Sequence, residues 1–99
     1  MAPDAARLMR SRYSAYVLGL DDYLLATWHP ATRPASAVYL PDGLRWLGLE
    51  LRRHVQVDES HAIVEFVARS KLAGKANRHH EVSRFERSQG HWLYLDDKG

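Results

Sequence analysis

Apolar positions along this chain change their period once, and the change predicts its architecture. From Ala5 to Leu20 the residues Ala5, Leu8, Met9, Tyr13, Tyr16, Val17 and Leu20 recur at helical spacing. Asp4, after Pro3, suits the N-cap of this helix. Arg7, Arg10 and Arg12 fall off the stripe, and Gly19 stops it. Asp21 or Asp22 caps a second helix through Tyr23, Leu24 and Leu25 to Trp28, which Pro30 prevents from continuing. Ala31 to Gly43 contains Pro34 and Pro41 and reads as a connection with room for one helical turn. Beyond it the period is two. Leu47, Leu49, Leu51, Val55 and Val57 alternate with Gly48, Glu50 and Arg52, as in a long half-buried strand. Asp58-Glu59-Ser60 is a turn, and Ala62 to Ser70 is apolar enough for a central strand buried on both faces. Arg78 to Arg87 and His91 to Asp96 complete a set of about four strands. Helices first and strands afterwards predict an α+β fold, an antiparallel sheet with helices on one face.

Hairpin register turns this pattern into a map. With Gln89-Gly90 as a two-residue turn, Ser88 faces His91, Arg87 faces Trp92, Phe85 faces Tyr94 and Ser83 faces Asp96. With Ala73 to Ala76 as the other loop, Leu72 faces Asn77, Ala68 faces Glu81, Phe66 faces Ser83 and Val64 faces Phe85. One face then carries Val64, Phe66, Ala68, Glu81, Ser83, Phe85, Trp92 and Tyr94 and is expected to meet the helices. The other carries Ile63, Glu65, Val67, Arg69, His80, Val82, Arg84, Leu93 and Leu95, with Glu65 opposite Arg84 as a cross-strand ion pair.

The chain has 99 residues and reads as one domain over 1–99, long enough to bury roughly two-thirds of its unfolded surface. Its 45% hydrophobic and 26% charged content is that of a globular chain, and no apolar run approaches a membrane span. There is no cysteine, which excludes disulfides, thiol catalysis and cysteine-ligated zinc within these residues. No charged-then-apolar leader precedes the first Arg-rich helix, so a cytoplasmic setting is expected. The net charge of +2 permits an anionic partner without requiring one.

The run Leu8-Met9-Arg10-Ser11-Arg12-Tyr13-Ser14-Ala15-Tyr16, then Tyr23-Leu24 and Thr27-Trp28-His29-Pro30, resembles the signature of the YchJ family of bacterial proteins. The resemblance continues through Trp46, Gly48-Leu49, Phe66-Val67-Ala68-Arg69, His80-Glu81, Ser83, Phe85, Gly90, Trp92, Tyr94 and Asp96. It implies an NTF2-like, cystatin-related fold, in which a curved antiparallel sheet wraps over helices to form a conical cavity. Longer members of the family flank this domain with cysteine-rich SEC-C segments that look like zinc sites. These 99 residues hold no such segment, either because the protein lacks them or because the chain is an excised domain, so no zinc-dependent or translocase-related role is carried over. NTF2-like domains host isomerases, dehydratases, hydrolases and non-catalytic binding modules, and the fold alone leaves the activity open.

On this map the cavity is expected to be lined by Tyr13, Tyr16, Trp28, Phe66, Glu81, Ser83, Phe85 and Tyr94. Glu81 lies among apolar side chains and needs donors; a helix residue such as Tyr13, Arg10 or Arg12 would supply them. Arg12 is expected in an ion pair with Glu81 or Asp96. The first functional reading is a non-catalytic module that binds a small molecule or a protein partner, with a possible homodimer through Val67, Val82, Leu93 and Leu95 of the outer sheet face. The second is an isomerase, dehydratase or hydrolase with Glu81 as base, Tyr13 or Tyr94 as hydrogen-bond donor and His29 as second acid or base. A third uses Arg7, Arg10, Lys71, Lys75 and Arg78 as a basic surface for RNA, but the hairpin tip has no aromatic residue for base stacking, which argues against nucleic acid. No cofactor motif is recognised. Six histidines invite a metal, yet His79 and His80 are adjacent and point to opposite sides of a strand, so no metal site is expected.

Overall fold

The computed structural model describes residues 2–36 and 40–99. Helix α1 spans Ala5–Leu18 and α2 spans Asp21–Ala26. They are followed by β1 (Arg45–Gln56), β2 (His61–Leu72), β3 (Lys75–Ser88) and β4 (His91–Asp96). The strands form one antiparallel sheet in the order β1-β2-β3-β4. No helix among the described residues is long and apolar enough to cross a membrane.

Helix α1 begins where expected. The Asp4 carboxylate accepts the Arg7 backbone N–H at 2.8 Å, satisfying one of the orphan donors of the first turn. It ends at Gly19, whose φ of 69° is the left-handed conformation a helix C-terminus favours. Helix α2 differs from expectation. Leu20 occupies its N-cap, without a side-chain cap, and Asp21 and Asp22 lie in the first turn. There their charge complements the helix dipole. The helix ends at Ala26, and Trp28 has already left it to form a parallel bridge with Tyr94. His29 N–H donates to the Tyr94 carbonyl and Tyr94 N–H to the Thr27 carbonyl, both at 2.8 Å. These bonds cover part of the β4 edge. The expected helical turn between Ala31 and Gly43 is absent among the described residues 31–36 and 40–43; residues 37–39 lie outside them.

Ala5, Leu8 and Met9 of α1 pack against Ala62, Val64, Phe66 and Ala68 of β2, Phe85 of β3 and Trp92 of β4. The expected inner face therefore meets the helices. The β2–β3 register is displaced from the expected one, because Ala73-Gly74 alone makes the turn and Leu72 pairs with Lys75. Ala68 faces His79, Phe66 faces Glu81 and Val64 faces Ser83. The slip is an even number of residues, so every side chain keeps its face while changing its partner. Glu65 consequently does not oppose Arg84; it accepts from His80 at 2.7 Å, and Arg84 Nε donates to Asp96 at 2.7 Å. The β3–β4 hairpin turns at Gln89-Gly90 as expected, but an irregularity after Phe85↔Tyr94 pairs Asp96 with Arg84 rather than Ser83.

Strand β1 departs most from its pattern. Register shifts between Trp46 and Gly48 and between Leu51 and Arg53 interrupt the alternation. Trp46, Leu49 and Leu51 pack on the core, whereas Leu47, Val55 and Val57 are exposed. The outer sheet face is also not the open apolar strip expected. Val67 is fully buried, while Val82, Leu93 and Leu95 are half-buried. Gly99 crosses this face, its N–H donating to the Val82 carbonyl at 3.0 Å.

Candidate functional site

Where the sheet curves away from α1, a cavity of about 170 Å³ opens between them. Met9, Arg12, Tyr13 and Tyr16 enter it from one face of α1, at the spacing that aligns side chains along a helix. Trp46 of β1, Phe66 and Ala68 of β2, His79 and Glu81 of β3, Tyr94 of β4, Trp28 and Leu40 complete the wall. The aromatic rings brace one another. Trp46 meets Tyr13 edge-on at 5.6 Å and Tyr16 at 6.3 Å, while Trp28 stands edge-on to Tyr94 at 5.1 Å. Such pairs add about 0.5–1.5 kcal/mol beyond burial and hold the walls apart as a preformed space.

Tyr13, Tyr16, Trp28, Phe66, Glu81 and Tyr94 reach the cavity as the sequence predicts. Phe85 and Ser83 do not: both are fully buried beneath it. Ser83 still matters to the site, because its hydroxyl donates to Glu81 two residues away on the same face of β3. The Glu81 carboxylate also accepts from the Tyr94 hydroxyl at 3.3 Å and lies 3.0 Å from His79 Nε2. Its donors therefore come from the sheet, not from Tyr13, Arg10 or Arg12. Burial, and next the Glu81 charge, push the Tyr94 hydroxyl well above the usual tyrosine range. Tyr94 is thus held as a neutral donor.

Arg12 is the largest correction. It lies not off the apolar stripe but under it, 2% exposed, and it pairs with neither Glu81 nor Asp96. No carboxylate comes within 4.0 Å of its guanidinium among the described residues, although nine ion pairs form elsewhere. Nη1 donates to the Leu24 carbonyl at 2.8 Å and to Thr27 Oγ1 at 2.7 Å, tying α1 to the end of α2. The guanidinium carbon lies 4.7 Å from the Tyr94 ring centre and 5.1 Å from that of Trp28, close enough for cation–π attraction. Burial lowers its pKa from the ordinary arginine value, and the Tyr16 and Tyr94 hydroxyls offset part of the cost. The Trp28 indole N–H is buried without a partner among the described residues, which costs roughly 1–3 kcal/mol.

His29 stands outside the cavity. Ala31 N–H donates to its Nδ1 at 3.0 Å, which leaves the proton on Nε2, 3.3 Å from Glu86. It buttresses the chain beside β4 and is not positioned to act with Glu81. The adjacent histidines diverge as expected, His79 to Glu81 and His80 to Glu65. Arg7, Arg10, Lys71, Lys75 and Arg78 are all exposed, the last three at the β2–β3 tip. Among the described residues no group of three or more potential metal ligands converges. Sequence reasoning missed His79 at the cavity rim, although strand alternation places it on the same side as Glu81.

Comparison with known proteins agrees with this architecture. Residues 4–97 match the family described as the YchJ middle NTF2-like domain. A UPF0225 protein of Methylibium petroleiphilum is 64% identical over 95 residues, covering 96% of this chain and 70% of that protein. One from Bordetella pertussis is 54% identical over 95 residues, covering 96% of this chain and 71% of its own. Among solved structures, a SEC-C motif containing protein from Psychrobacter arcticus aligns with a TM-score of 0.79 at 32% identity. That alignment covers 98% of this chain and 61% of the Psychrobacter protein, so the chain spans less than two-thirds of that neighbour. A SEC-C motif containing protein from Rhodopseudomonas palustris aligns with a TM-score of 0.66, also at 32% identity, over 91% of this chain and 73% of its own. With its helical signature, its four-stranded sheet and this match over nearly its whole length, the chain belongs to the YchJ family, as an NTF2-like middle domain.

Proposed function

We propose that this domain binds a small organic molecule in the cavity between α1 and the sheet, and does so without transforming it. The observation that carries the reading is the cavity itself. Its volume of about 170 Å³ is near that of an apolar protein cavity of roughly 150 Å³ that accommodates benzene, and below the ~300 Å³ at which drug-sized sites begin. That scale selects a single-ring ligand. The walls are largely aromatic and already braced against each other, so a ligand of this size enters without rebuilding the core.

The catalytic reading has less support. Glu81 already takes hydrogen bonds from Ser83 and Tyr94 on Oε2 and faces His79 with Oε1, so a substrate proton would compete with three existing partners. His29, a candidate second acid or base in that reading, stands beside Glu86 at 3.3 Å and outside the cavity.

Native mass spectrometry of the freshly purified protein, beside a denatured control, tests the proposal. An added mass of single-ring size that disappears on denaturation is the expected result. A clean apo spectrum, together with no response of the Trp28 and Trp46 signals to ring-sized fragments at millimolar concentration, would overturn it. The same spectrum reports whether the protein is monomeric or pairs with a second copy.

A further inference from the structure

Arg12 carries a positive charge into the cavity wall without a counter-ion among the described residues, and its fold-holding role uses only part of its bonding capacity. The guanidinium has five N–H donors. Both of its close hydrogen bonds leave from Nη1, to Leu24 and Thr27. Among the described residues no close hydrogen bond leaves Nε or Nη2, the edge that carboxylates engage through two parallel bonds, and the Tyr16 hydroxyl lies near the guanidinium. Burial of 98% makes an unpaired charge here costly, since its water has been stripped and no acid replaces it. The rings of Tyr94 and Trp28 lie close to the guanidinium, and Met9, Tyr13 and Trp46 add apolar wall beyond it.

We infer that the ligand is a small single-ring carboxylate, its anionic group held by the Nε and Nη2 edge of Arg12 and its ring packed against Tyr13, Trp28 and Trp46. This rests on the cavity-binding reading above and specifies its ligand class. Glu81 does not defeat it. Its carboxylate is engaged by Ser83 and Tyr94 and lies 3.0 Å from His79 Nε2, so its oxygens are turned to sheet partners. The two charged groups thus sit on different walls, with Tyr94 touching both. A ring bearing one carboxylate satisfies Arg12, and a neutral ring of the same size leaves it unpaired.

The test uses the wild-type chain with benzoate and, as neutral analogues of similar size, benzamide and benzyl alcohol. Indole N–H signals in ¹H–¹⁵N spectra give the readout. Trp28 and Trp46 line the cavity, whereas Trp92 is buried in the core away from it and serves as an internal control. Benzoate is expected to move the Trp28 and Trp46 signals, leave Trp92 in place, and bind roughly tenfold or more tightly than either neutral analogue, the advantage expected of a bidentate charged pair. Neutral rings binding as well as benzoate would overturn the carboxylate assignment and leave the cavity reading standing. No response to any of the three would overturn both. An Arg12→Gln variant that keeps dispersed indole signals should lose the preference for benzoate; one that keeps the preference would also overturn the assignment, whereas one that unfolds leaves the wild-type comparison decisive.

Discussion

The turn between β2 and β3 decides which residues of β3 reach the cavity, and its backbone makes a quantitative prediction. Ala73 has φ of 52° and Gly74 has φ of 81°, the paired positive values of a type I′ hairpin turn. Gln89 and Gly90 repeat the arrangement at 51° and 82° in the next hairpin. Alanine has neither the freedom of glycine nor a polar side chain to stabilise this conformation, and pays about 1–2 kcal/mol for it. Asparagine occupies it far more readily. Ala73→Asn is therefore expected to stabilise the protein by about 0.5–1 kcal/mol, or about 2–8 °C in Tm for a domain of this size. Gly74→Ala tests the neighbouring position. A Cβ there would meet nothing within 4 Å, so packing plays no part and the cost is purely one of backbone conformation. The left-handed penalty, less the roughly 0.5 kcal/mol gained by stiffening the unfolded chain, gives a loss of about 1 kcal/mol. Urea unfolding followed by tryptophan fluorescence measures both, and the m-value should stay constant if only stability changes. Destabilisation by Ala73→Asn, or a neutral Gly74→Ala, would refute the turn assignment. With it would go the pairing of Phe66 with Glu81 and of Ala68 with His79 that places the polar rim on the cavity.

Two further outcomes follow from the ionisable groups. Glu65 is held below the usual carboxylate range chiefly by the His80 hydrogen bond, and Asp96 chiefly by that of Arg84. A depressed folded pKa means stability that is present above the unfolded values near 4 and is lost as pH falls through the folded ones, so urea melts from about pH 7 to about pH 2.5 should show a decline on the acid side. Stability independent of pH across that range would sink the assignment of these pairs. Tyr94 shifts the other way: its neutral form is favoured in the fold, so the contribution is intact below the ordinary tyrosine value near 10 and stability falls as pH rises beyond it. Tyrosinate absorbance should show a late ionisation step above the ordinary tyrosine range, and Tyr94→Phe should remove it.

Period-two alternation was enough to put the right residues of β2 and β3 on the inner face, since a register error of an even number of residues does not change a side chain's direction. It could not identify the partners. Those depend on the turn, and Ala73-Gly74 is a poor advertisement for a type I′ turn because alanine is an unfavourable residue at its first position. Gln89-Gly90 was read correctly with the same geometry, because the flanking strands left no other loop of suitable length. In β1 the failure is different. The alternation of Leu47, Leu49 and Leu51 is regular in sequence, but a bulge beside Gly48 moves Trp46 onto the core side and Leu47 out to solvent. An extra residue in one strand leaves no mark in the hydrophobic pattern itself.

Arg12 was misplaced for a more instructive reason. Helical periodicity sorts residues by polarity, and a guanidinium is polar, so the rule sends it outward. Yet its position relative to Leu8, Met9 and Ala15 lies on the same buried side of α1, and the burial is real. What makes it tolerable is not an acid but the Leu24 carbonyl and Thr27 hydroxyl left at the end of α2, together with the two rings on which the cation rests. Thr27 and Trp28 belong to the segment that leaves α2 and locks onto β4 through the Tyr94 backbone, so the groups that hold Arg12 are themselves fixed by the sheet. The helical signature and the last strand, far apart in sequence, therefore build one object: a cation fastened on one side to the α2 terminus and open on the other to an aromatic cavity. Two acids lie near, since Glu81 is in the same cavity wall and Asp96 ends the same strand as Tyr94. Both are engaged by other residues, Glu81 by sheet donors and Asp96 by Arg84. Among the described residues Arg12 is therefore left without an acid, which is the ground of the carboxylate-ligand proposal.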